Sequence, residues 1–454
     1  MTNTEHDSLP STWSRISLVS LQPNVDNGRW PVRRSVGESV DITAGLIIDG
    51  HDKIAAEVVF AHETGEPDSR PLLLRYNDEY VGSFDVDRLG RYWYRVHAWV
   101  DLIGTWQDQF KRRVAGGEAD EELRSELLEG AHHLRAAAKN ASGQHAEALE
   151  ELASRFELGH VEDGLRDDVA QLGRMYGPRH GLVESPVVEV FVDPTLARFG
   201  AWYEFFPRST ANEAGRHGTL DDAAAILPRI KELGFDIVYL PPVHPIGETF
   251  RKGKDNAPVA KEGEPGSPWA IGSPDGGHKS VHPELGGIEA FDRFVRRAQE
   301  LDIAVSIDIA FQTSPDHPYV KEHPEWFRHR PDGSIRYAEN PPKKYQDVYP
   351  FDFENDHWQA LWLELRSVFE FWIDHGVKVF RVDNPHTKSI PFWEWCLRTL
   401  REKHPDLIFL SEAFSRPKMM YTLAKLGFNN SYTYFTWRNT KEELTSYGRE
   451  LFQT

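Results

Sequence analysis

The chain has 454 residues, 40% of them hydrophobic and 12% aromatic, with a formal net charge of −19. Such a length fills more than one core, so two or three domains are expected. The charge repels phosphate backbones and anionic membranes, which argues against nucleic acid as a partner; an anionic ligand would need a local cluster of Lys, Arg or N–H donors.

A single cysteine, Cys396, leaves no internal disulfide. The start, "MTNTEHDSLPSTWSR", lacks the basic region and apolar run of a secretory signal. No apolar stretch approaches a membrane span. The expectation is a soluble, cytoplasmic protein.

In chain order, residues 1–115 carry short alternating runs such as "SVDITAGLII", "AAEVVFA" and "GRYWYRVHAWVDL" between Gly, Asp and Pro turns. Period-two alternation predicts an N-terminal β-sandwich. Residues 116–185 shift to Ala, Glu, Leu and Arg with apolar positions at helical spacing, as in "QHAEALEELASRF", predicting a small helical bundle. From 186 to 454, near-continuous apolar strands alternate with helices, the pattern of a parallel sheet covered by helices. The fold class expected is α/β: a (β/α)8-type barrel, incomplete, with about six strands at 202–208, 235–242, 303–311, 377–383, 407–412 and 428–435. A doubly wound open sheet is the alternative, but no glycine-rich phosphate fingerprint follows any strand.

Polar residues gather where these strands end: Glu204, Arg208, His244, Asp308, Gln312, Arg381, Asp383 and Glu412. In a barrel they would share the rim where such folds build their sites. In "VFRVDNPHTKSIPFWEW", Arg381 and Asp383 stand two apart and so face the same side of a strand. The arginine would keep the carboxylate ionised, as a carboxylate nucleophile requires, although a structural ion pair has the same appearance. Glu412, in "LIFLSEAF", puts a second carboxylate at the mouth of the next strand. Two carboxyls about 5–5.5 Å apart suit retaining glycosyl transfer. A Glu after a strand is also an ordinary helix N-terminal group.

"FRVDNPH" and "LSEAF" resemble the nucleophile and acid/base motifs of the α-amylase superfamily. The resemblance makes Asp383 the nucleophile and Glu412 the general acid/base, with Arg381 and His386 around them. "DIAFQTSPDHP" departs from the superfamily's pattern at Gln312 and Thr313, so the structural calcium of amylases is not expected. His278, His282 and His317 have no compact ligand spacing, and neither a metal nor a cofactor is expected. "HPIGETFRKGKDN", "GGHKSVHPELGG", "AENPPKKYQDVYPFDFEND" and "SYTYFTWR" resemble the bacterial α-1,4-glucan:maltose-1-phosphate maltosyltransferases of glycoside hydrolase family 13, over nearly the whole chain.

That resemblance implies transfer of maltosyl from α-maltose 1-phosphate to an α-1,4-glucan, by a homodimer. It implies that Asn340, Lys343, Tyr345 and Asn384 hold the phosphate and that Lys252, Gln312 and Asp347 bind the maltosyl unit. Read without it, the Lys343-Lys344 pair is solvated surface. The rivals are an α-glucan hydrolase of the same superfamily and a non-catalytic glucan-binding protein. The superfamily's third carboxylate, after strand seven, has no counterpart, and a truncated barrel is expected to be poorly folded and poorly active. Trp393, Trp395, Cys396 and Leu397 are expected to pack a helix against the barrel.

Overall fold

A computed structural model describes residues 13–453. Most of the segment read for a secretory signal, residues 1–12, lies outside the described residues. The chain divides into two compact units, Met1–Val192 and Asp193–Thr454.

In the first unit, β1 (Ile16–Gln22), β2 (Val32–Ser35), β3 (Ser39–Ile48), β4 (Ile54–His62), β5 (Asp68–Tyr76), β6 (Glu79–Asp85) and β7 (Gly90–Val100) precede five helices. Strand β7 shows the physical basis: Tyr92, Tyr94, Val96 and Ala98 point to one face and are buried, while the residues between them are not. Alternate residues of β3, β4, β6 and β7, all strands of one continuous sheet, converge with these on one core. The helices are α1 (Leu102–Gly116), α2 (Asp120–Ala138), α3 (Gln144–Glu157), α4 (Val161–Gly164) and α5 (Asp167–Tyr176). They close on a separate core that includes Trp106, Phe110, Leu127, Leu134 and Phe156. After them, β8 (His180–Glu184) and β9 (Val188–Asp193) return to pair antiparallel with β7.

The second unit begins with α6 (Thr195–Arg198) and is built on six parallel strands. They start with β10 (Trp202–Glu204), α7 (Leu220–Glu232), β11 (Ile237–Leu240), α8 (Gly287–Glu300) and β12 (Ala304–Ile309). After β12 come the short strands β13 (Gln312–Thr313), β14 (Ala338–Asn340), β15 (Lys343–Tyr345) and β16 (Tyr349–Pro350), with α9 (Pro318–Glu322) among them. The sheet resumes with α10 (Trp358–Asp374), β17 (Val379–Asp383), α11 (Ile390–Lys403), β18 (Ile408–Glu412), α12 (Pro417–Leu426) and β19 (Asn430–Ser431). The order is β10-β11-β12-β17-β18-β19, every neighbouring pair parallel, as the six apolar runs predict.

Helices cover the strands, so "IVYL" of β11 and "VFRVD" of β17 are buried at every position. Helix α8 presents Ala290, Phe291, Phe294, Val295 and Ala298 as one apolar stripe. A capping box between Thr219 and Asp222 fixes the start of α7. On α11, Trp393, Cys396 and Leu397 are fully buried as expected, while Trp395 is half-buried under Arg366. Helix α13 (Lys441–Gln453) buries no residue.

All six strands are shorter than the sequence predicts, the first and last most of all. The 202–208 strand ends at Glu204 because Pro207, without an N–H for a ladder, opens a 3-10 turn at Pro207–Ser209. Of 428–435 only Asn430–Ser431 pairs, and Tyr434–Trp437 is again a 3-10 turn. Among the described residues no helix is long and apolar enough to cross a membrane.

Candidate active site

Parallel register brings the C-terminal ends of β12, β17 and β18 side by side. Asp308 pairs with Arg381, and Asp383 pairs with Glu412. Neighbouring strands lie about 4.8 Å apart, so the Asp383 and Glu412 backbones are at the separation of adjacent strands.

Arg381 organises three carboxylates. Its Nη1 donates to Asp308 Oδ2 at 2.7 Å and to Asp383 Oδ1 at 2.9 Å, and its Nη2 lies 3.7 Å from Glu412 Oε1. Asp308 is wholly buried, Arg381 and Asp383 nearly so, and Glu412 is partly open. One guanidinium thus serves three acids in a largely buried site, where charge interactions are strong.

The protonation tendencies follow from burial. Burial pushes the Glu412 carboxyl up; Arg381 opposes this and the Asp383 carboxylate adds to it. Burial also raises Asp308, against the pull of Arg381. Asp308 Oδ2 accepts from Tyr239 Oη at 2.5 Å and from Trp269 Nε1 at 3.3 Å. Arg381 lies 5.9 Å from the ring centroids of both Tyr239 and Tyr432, an aromatic sleeve around the cation.

Asn384 ties the two strand ends together. Its backbone is left-handed at φ 42° and ψ 52°, a conformation Asn tolerates better than most residues. In that turn its N–H donates to Glu412 Oε2 at 3.1 Å and its Nδ2 to Asp383 Oδ2 at 3.2 Å. His386 sits in the following Pro385–Thr387 turn, half-buried; burial lowers its pKa, Lys388 adds to the effect and Asp383 opposes it.

Arg381 Nε, Asp308 Oδ1 and His386 Nδ1 are buried with no hydrogen-bond partner among the described residues. Buried polar atoms in native proteins are nearly always paired, so these three around the carboxylate pair mark a place built for water or a polar ligand.

The remaining expected residues form a second group. Asn340, Lys343 and Tyr345 lie on the exposed β14–β15 hairpin, where Asn340 pairs with Lys343. Lys252 Nζ donates to Gln346 Oε1 at 3.3 Å, beside the hairpin. Asp347 is buried there; burial raises its pKa, Lys252 opposes this, and its Oδ1 has no partner among the described residues. Gln312 stands toward the first group: its Nε2 donates to the Trp269 carbonyl at 3.3 Å, and the Trp269 ring reaches Asp308. Among the described residues no hydrogen bond or ion pair joins Asn340, Lys343 or Tyr345 to Asp383 or Glu412.

The sequence reading places Asp308 at a strand end without giving it a part in the site; the signal was one acid inside the apolar run "AVSIDI". Tyr239 and Trp269 carry no comparable signal. Lys388 also belongs to this neighbourhood: burial lowers its pKa while Asp383, Glu412 and Asp308 oppose the shift.

Residues 14–194 match the family model described as alpha-1,4-glucan:maltose-1-phosphate maltosyltransferase, domain N/S. The enzyme of that name from Salinibacter ruber is 59% identical over 452 residues, covering 98% of this chain and 68% of the relative. Its counterparts from Chlorobaculum tepidum and Myxococcus xanthus are each 47% identical, covering 97% and 96% of this chain and 66% and 68% of theirs. The chain therefore spans about two thirds of the length of these relatives. With Asp383 and Glu412 paired across Arg381 and with identity of this extent, the chain belongs to the α-1,4-glucan:maltose-1-phosphate maltosyltransferase family.

Proposed function

We propose that this chain transfers a maltosyl unit from α-maltose 1-phosphate to the non-reducing end of an α-1,4-glucan, releasing phosphate with retention. The observation that carries the reading is the in-register Asp383–Glu412 pair sharing Arg381 and Asn384.

Arg381 and Asn384 hold and aim Asp383 by hydrogen bonds, so its oxygen attacks the anomeric carbon as the carbon–phosphate oxygen bond breaks. Glu412, held toward its protonated form by burial, gives its proton to the departing phosphate. The resulting carboxylate then takes the proton of the acceptor 4-hydroxyl, whose oxygen displaces Asp383 from the opposite face. Two inversions give retention.

In this reading Asn340, Lys343 and Tyr345, with Asn384, hold the phosphate, since Lys, Asn and Tyr offer donors to its oxygens. Lys252, Gln312 and Asp347 bind the maltosyl unit, and His386 meets a sugar hydroxyl. The enzyme works as a cytoplasmic homodimer, residues 1–115 and 116–185 contributing the assembly surface and residues 186–454 the chemistry.

The deciding experiment supplies maltose 1-phosphate and a maltooligosaccharide separately and together. Phosphate released only with both supports transfer. Reducing sugar from the maltooligosaccharide alone would favour a hydrolase, and no turnover under any condition would favour a binding protein.

A further inference from the structure

A cavity of about 1210 Å³ opens in the second unit between the segment after β10 and the long loop after β11. Neither Asp383, Glu412 nor Arg381 lines it, and no residue expected to bind the donor does. We propose that it is a binding site for a small ligand bearing an oxyanion, such as a phosphate or carboxylate group, held by Arg208 and Arg251.

Arg208 is half-buried with its guanidinium 5.0 Å from the centroid of the Phe206 ring. It has no ion pair or side-chain hydrogen bond among the described residues. Burial depresses its pKa and no neighbouring acid offsets that cost. Arg251 commits Nε to the Gly247 carbonyl at 2.8 Å and Nη2 to the Ile246 carbonyl at 3.0 Å. These bonds fix the guanidinium plane and leave Nη1 without a carboxylate.

Arg216 on the same wall shows what a structural arginine looks like here: two 2.9 Å bonds bind it to Asp222. The acids of the cavity do not perform that service for Arg208 or Arg251. Glu264 accepts from the Lys261 amide at 2.7 Å, Glu284 lies 4.0 Å from His217 Nε2, and neither Glu248 nor Glu262 reaches an arginine within ion-pair distance. The stacked rings of His217 and His282, 5.9 Å apart, give the cavity a flat wall. In a chain with a net charge of −19, two arginines that form no ion pair among the described residues in one cavity suit an anion that brings its own oxygens, which guanidinium groups bind in a fork.

The test is isothermal titration of the full chain with inorganic phosphate at constant ionic strength, with chloride as control. A saturable component that Arg208→Ala or Arg251→Ala weakens by roughly tenfold or more, that Arg208→Lys largely keeps, and that persists in Lys343→Ala supports the site. No binding beyond chloride overturns it. So does binding that Lys343→Ala abolishes and Arg208→Ala spares, which would place phosphate on the proposed donor hairpin. If Arg208→Ala does not fold, phenylglyoxal labelling of the wild-type chain decides: protection of Arg208 by phosphate supports the proposal, and equal labelling overturns it.

Discussion

Two of the buried polar clusters in the second unit are opposites. Around Arg381, three acids share one cation and several polar atoms lack partners. Around His278, burial keeps three histidines neutral; two of them bond in a chain and the third bonds to a backbone carbonyl beside it. His278 Nε2 donates to the Ala310 carbonyl at 2.9 Å, His317 Nε2 to His278 Nδ1 at 3.0 Å, and the Tyr319 amide to His317 Nδ1 at 3.0 Å. His244 Nδ1 donates to the Ser280 carbonyl at 3.0 Å. Burial is common to both clusters; what separates them is satisfaction. A fully paired cluster stabilises the fold, whereas a charged and incompletely paired one is poised for a ligand.

The sharpest break in that comparison is Asp383→Asn, which keeps size and fold. If the Arg381 cluster is chemical, phosphate release falls by about 10⁴-fold or more while thermal unfolding barely moves. Glu412→Gln should cost about 10²–10⁴-fold. It should also remove the alkaline limb of kcat/KM, because Glu412 must be protonated to start and its pKa is raised.

Arg381→Met is expected to lose both activity and about 3–5 kcal/mol of stability in urea unfolding, since it strands buried carboxylates. His317→Ala should cost about 1–3 kcal/mol by leaving His278 Nδ1 without its donor, with little effect on kcat.

The smallest effect is one of pH. Burial lowers His244 to about 3, His278 to about 4 and His317 to about 2, from an ordinary 6.5. The unfolded chain therefore binds more protons, so the stability these rings provide is whole above 6.5 and is lost as pH falls toward 4. Urea midpoints at pH 7.5 and pH 5 should differ in that direction, and less so in His317→Ala.

Much of this was legible along the chain. The six parallel strands could be read because buried strands are continuous apolar runs, and Arg381, Asp383 and Glu412 stood out as charges inside them. The histidines could not be sorted in the same way: His278 and His317 looked like isolated loop residues because their bond joins positions 39 apart. Asp308 looked like an ordinary strand-end acid until β12 was placed beside β17.

By itself the sequence determined the βα alternation, the family's motifs and the identity of the carboxylate pair, because periodicity and residue type are local properties. Only the tertiary structure decided that Asp308, Tyr239 and Trp269 stand behind Arg381, that His278 and His317 bond to each other, and that Arg208 and Arg251 line one cavity with no ion pair among the described residues. Those facts depend on which distant atoms share a small volume, and register, burial and side-chain pairing are fixed only when the sheet closes on its helices.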